Sequence, residues 1–166
     1  MALRWTSSGP SASRSVRWLA ADLQRRAGQP KACVDTLMAS DNERPEVLLK
    51  AQCQLALNDA TQTRALVQRL QFWLAQHPRD ALAWEWIAQA YAQNGQALQA
   101  VRADAESRAV RLDEVAAIDR LRAGQTLARQ LAQKGQLDLA AQQEASIIDA
   151  RLRTLEQTRL ELLRSR

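Results

Sequence analysis

Cys33 and Cys53 are the chain's two cysteines, and His77 is its one histidine. Cysteines twenty positions apart do not form the close CxxC pair of a metal or redox motif. Two readings of them stay open. They are two small buried residues on neighbouring helices, or they are a disulfide, which requires an oxidising compartment. His77 stands in the turn-like string "HPRD" and has no second histidine to complete a metal set. No HExxH string is present, so a zincin-type zinc site is not encoded in these residues. No glycine-rich strand-turn-helix string suggests a phosphate cradle. The carboxylates Asp104, Glu106, Asp113 and Glu114 lie among arginines. They read as solvated helix-face pairs, each contributing a few tenths of a kcal/mol. The sequence therefore offers no catalytic constellation, no cofactor site and no metal site.

The elements that position these residues are helical. Hydrophobic residues make up 46% of the 166 positions, enough to bury a core. Ala, Leu, Gln, Arg and Glu dominate, all good helix formers. The β-branched residues that strands favour are sparse. The net charge of +5 suits an acidic partner or an anionic membrane surface. Its basic residues are interleaved with acids rather than gathered into a phosphate-tracking stripe, which argues against nucleic acid. No apolar run approaches the roughly 20 residues of a membrane span. The first fifteen residues lack the apolar core of a signal peptide. Residues 1–12 read as a disordered lead-in and 13–166 as a single helical domain.

Turn signals at 27–30, 40–45, 58–59, 77–80, 94–95 and 134–135, with a weaker break near 111–113, divide the chain into eight runs of helical periodicity. Leu19, Leu23 and Ala27 share a face of the first. Leu66, Leu70, Phe72 and Trp73 anchor the fourth. Ile118, Leu121, Ala128 and Leu131 mark the seventh. Pro45 suits a first helical turn. Asp59, Asp80 and Asp113 suit N-caps, and Gly28, Gly95 and Gly135 suit C-terminal stops. Eight helices with tight turns predict four helical hairpins.

Ala21, Cys53 and Ala88 recur at intervals close to 34 residues, the period of the tetratricopeptide repeat. Trp84, Ile87, Ala88, Tyr91 and Ala100 match that family's order of large, small and aromatic positions. The small pairs Ala21/Cys33, Cys53/Ala65 and Ala128/Ala140 fit more loosely, and Asp104 stands where an aromatic is expected. The resemblance implies an all-α, right-handed array of about four antiparallel hairpins, the last one long and degenerate. It makes Trp84 and Tyr91 packing residues between helices, with Trp86 off that stripe. It also sets Cys33 on a second helix facing the next first helix, where Cys53 sits.

From about Pro78 the segments "HPRDALAWEWIAQAYAQNGQ", "VRADAESRAV", "AIDRLRAGQTLAR" and "EASIIDARLRTLE" resemble the C-terminal tetratricopeptide region of bacterial periplasmic zinc metalloproteases of the beta-barrel assembly-enhancing type. Residues 13–77 fit only as earlier repeats. The resemblance implies a C-terminal fragment without the catalytic domain, with Met1 an added start. It implies a periplasmic location, which favours the Cys33–Cys53 disulfide, and no enzymatic activity for this chain. The expected function is a protein-interaction module whose partner is the parent catalytic domain, an outer-membrane assembly factor or a client polypeptide. The alternative is a structural domain that packs on the catalytic domain and restricts access to it. Counting from the matched positions, a concave groove would present Asp22, Arg25, Lys50, Gln54, Glu85, Gln89 and Arg129.

Overall fold

The computed structural model describes residues 13–38 and 43–164, and the lead-in expected over 1–12 lies outside them. Eight α-helices and no strand are found among the described residues. The chain divides into two compact units, one ending at Leu57 and the other beginning at Asn58. That boundary falls inside the second of the expected hairpins.

The first unit holds α1 (Arg14–Arg26), α2 (Pro30–Thr36) and α3 (Arg44–Leu57), each packed on the other two. Pro30 begins α2 where its missing N–H leaves nothing unsatisfied. The core gathers Ala21, Cys33, Val34, Leu37, Leu49 and Cys53, with Trp18 and Leu57 against it. The two cysteine sulfurs are bonded, with Cα atoms 6.1 Å apart, so α2 is tied covalently to α3. The buried Glu46 receives both arms of the Arg14 guanidinium, Nη2 lying 2.9 Å from Oε2, which ties α1 to α3.

The apolar face expected for α1 is not the buried one. Leu19 and Leu23 are 54% and 57% exposed, whereas Trp18, Ala21 and Asp22 face inward. The core selected the face bearing the small Ala21, which lets α2 and α3 approach. A buried Asp22 is accommodated there because Arg25 and Arg26 neutralise it at 3.0 and 2.7 Å.

The second unit holds α4 (Ala60–Gln76), α5 (Ala81–Gln93), α6 (Ala97–Val110), α7 (Glu114–Gln133) and α8 (Leu139–Arg164). Each packs on the next, and α8 also returns to α6. The caps form as their residue types require. Asp59, Asp80 and Asp113 accept from the backbone N–H of Gln62, Ala83 and Ala116. Gly95 and Gly135 take the left-handed backbone just past α5 and α7, with φ of 74° and 65°.

Leu66, Leu70, Ile87 and Tyr91 are buried, and the Tyr91 hydroxyl accepts from Gln71 Nε2 at 2.9 Å. Phe72 departs from expectation: it is 70% exposed. Around α7 the core contains Leu98, Ala105, Ile118, Leu121, Ala128, Ile148, Leu152 and Leu155. Gly124 lets α7 sit close to its neighbours, since a Cβ there would lie 3.0 Å from Val101 Cγ1 and 3.1 Å from Ile148 Cδ1. Ion pairs brace the outside of this core: Arg102 with Glu144, and Arg151 with Glu106 at 2.8 Å.

Candidate functional site

Alternating small and long side chains open a groove along α5, α6 and the start of α7. Ala88, Ala92 and Ala100 keep its floor low, and its volume is about 660 Å³. The walls are set by capping and cross-helix bonds. Asp80 fixes the start of α5, and the Ser107 hydroxyl donates to the Ala81 carbonyl at 2.9 Å, locking α6 onto that first turn.

The charged residues of the groove hold one another. Arg111, at the end of α6, pairs with Glu85 of α5. Asp104 of α6 bridges Arg108 at 3.3 Å and Arg120 of α7 at 2.7 Å. Asp113 is committed to capping α7. Acids and bases are therefore matched, and the rims are partly solvated, so each exchangeable pair contributes little to stability. Chemically, such a surface can trade its internal ion pairs for those of an incoming chain, with arginines engaging carboxylates. Gln89 is exposed at the same groove and adds an amide.

Of the seven groove residues expected from sequence, Glu85 and Gln89 line this groove. Arg129 does not. It is exposed further along α7, its Nη2 3.2 Å from Thr126 Oγ1. Asp22, Arg25, Lys50 and Gln54 belong to the first unit. Asp22 and Gln54 are buried, Arg25 pairs with Asp22, and Lys50 Nζ donates to the Leu37 carbonyl at 3.4 Å. Arg25 and Lys50 are half-buried, and none of the four lines the α5–α6–α7 groove. Asp104, Arg108, Arg111 and Arg120 were absent from the expected groove. The Asp104–Arg108 spacing of four marks a helix-face pair, but only the α6–α7 packing reveals Arg120 as the third member.

The aromatic cluster splits in two. Tyr91 fills space between α4 and α5. Trp84 is half-buried, donates its indole N–H to the Pro78 carbonyl at 2.9 Å, and lines a second groove. Among the small positions, Ala65 and Ala140 are exposed and Ala88 is half-buried, looser than the repeat pattern expects. His77 is the C-cap of α4, its ring stacked on Trp73 with centroids 3.8 Å apart.

Among the described residues, no helix is long and apolar enough to cross a membrane. No protein-family model matches the chain, and no curated protein matches it significantly.

Proposed function

We propose that the chain is a non-catalytic protein-interaction module, a tetratricopeptide-like array from the C-terminal region of a periplasmic metalloprotease of the beta-barrel assembly-enhancing type. Two things support the array: the recurrence of the small positions Ala21, Cys53 and Ala88 near 34 residues, and the sequential packing of α4 to α8; α7 and α8, at 20 and 26 residues, depart from the repeat as its long, degenerate last hairpin. The family assignment is supported by the segments "RADAESRA", "AIDRLRAG" and "EASIIDARLR". The Cys33–Cys53 bond suits an oxidising periplasm. The partner is a protein: the parent catalytic domain, an outer-membrane assembly factor or an unfolded client.

The observation that carries the reading is the α5–α6–α7 groove, where Glu85–Arg111 and Asp104–Arg120 stand ready to exchange partners. The test is capture of an unfolded outer-membrane barrel protein by the immobilised chain across a salt series. Arg111→Glu with Arg120→Glu should weaken capture several-fold at low salt. Equal capture by the variant at every salt concentration would sink the groove.

One observation favours a second reading. A groove whose ions are matched internally is also what a surface without a ligand looks like. In that case the domain packs on the catalytic domain and restricts access to it. A chain that binds no client, while the whole protease loses regulation without it, would select this second reading.

A further inference from the structure

The opposite face of α6 borders a second groove, of about 710 Å³, closed by the α4–α5 turn, α5 and α8. That volume lies within the roughly 300–1,000 Å³ of ligand clefts. Its apolar wall is built from Trp84, Val110, Leu112 and Leu155. Leu112 is the unusual member. It follows the C-cap of α6 with a left-handed φ of 63°, and it is 85% exposed. The same backbone is taken by Gly28, Asn58, Gly95 and Gly135, residue types that tolerate it. A leucine there is disfavoured by its backbone and, in the free chain, by its solvent contact. Neither disadvantage serves the fold, because glycine would end α6 better.

The charges add direction. Arg151 and Glu106 hold each other through two hydrogen bonds of 2.8 Å. Arg79 and Glu114, on the same groove, have no ion pair or hydrogen bond from their side chains with any described residue. One cation and one anion on the groove are thus without a side-chain partner, Glu114 standing in the first turn of α7.

We propose that this groove is a docking site for an extended polypeptide segment with a bulky apolar anchor residue, which Trp84 and Leu112 clasp. The segment carries a carboxylate on the side that meets Arg79 and a cation on the side that meets Glu114. The site is independent of the α5–α6–α7 groove, being lined by the other face of α6.

The full chain is titrated, by NMR of the Trp84 indole N–H, with a capped decapeptide carrying one phenylalanine between an aspartate and a lysine. The expected result is a saturable shift, lost when the phenylalanine is replaced by alanine. Leu112→Gly should weaken binding roughly tenfold or more, because it removes a side chain that the ligand buries. Its melting temperature should equal or exceed that of the natural chain, which separates loss of the site from loss of the fold. Arg79→Glu should weaken binding of the aspartate peptide and favour a peptide in which lysine replaces that aspartate. Arg120→Ala, at the other groove, should leave the titration unchanged. No saturable shift at millimolar peptide, or equal binding by Leu112→Gly, would overturn the proposal.

Discussion

Reducing the Cys33–Cys53 bond should loosen the first unit and leave the second intact. The cross-link spans 20 residues, and closing a loop of that length lowers the entropy of the unfolded chain by an amount worth about 3 kcal/mol. A unit ending at Leu57 has roughly 3–9 kcal/mol of stability in all, so the loss is a large fraction of it. The core is small for its length: Ala21, Val34, Leu37 and Leu49 around the two sulfurs, with Trp18 and Leu57 on its edge. Free thiols fill the same space as small apolar groups, so reduction removes the tether without opening a cavity. Hydrogen exchange with and without a reductant reads the outcome directly. Amides of α1–α3 should lose about two powers of ten in protection, as 3 kcal/mol requires, while those of α5–α8 keep theirs. A Cys33→Ala/Cys53→Ala chain should match the reduced protein. A loss of less than about tenfold in α1–α3, or a parallel loss in α5–α8, would refute a tether confined to the first unit.

Other perturbations test the remaining contacts. The Arg14 guanidinium hydrogen-bonds to Glu46 and holds its carboxyl below the usual 4.5, against the opposing effect of burial. A folded value below the unfolded one stabilises above pH 4.5 and is lost as pH falls through the folded value. Glu46→Gln should therefore flatten the acid limb of the first unit's stability curve, and an unchanged limb in acid titrations followed by hydrogen exchange would count against the pair. Asp80 caps α5 and also accepts from Trp73 Nε1 at 3.1 Å, whereas Asp113 only caps α7. In urea unfolding, Asp80→Ala should cost about 2 kcal/mol and Asp113→Ala about 1, because Asp80 holds the Trp73 N–H as well as the cap. Gly124→Leu should cost about 3 kcal/mol, since even its Cβ would press Val101 and Ile148. A neutral result there would mean that α7 can move away from α6 and α8.

Chain punctuation was legible because it is local. A cap needs a short oxygen-bearing side chain next to free N–H groups, and a helix stop needs a residue that tolerates positive φ. Asp59, Asp80, Asp113, Gly95 and Gly135 meet those needs within a few positions of themselves. Which face of a helix is covered depends on neighbours distant in sequence. In α1, Leu19 and Leu23 have helical spacing yet stay exposed, because small Ala21 and neutralised Asp22 fit the close approach of three helices. The groove was only partly legible for the same reason: Glu85 and Gln89 line it, and the other five expected residues do not. Arg120 reaches Asp104 only through the α6–α7 packing, and Gln54, polar by composition, is buried. Leu112 departs further still. Its exposure and its left-handed backbone oppose every local rule that explains Gly95 and Gly135, so stability of the isolated chain does not account for it. A residue that the fold would replace with glycine is best sought in what the fold must meet, and the Leu112→Gly chain separates those two demands by raising one measurement and lowering the other.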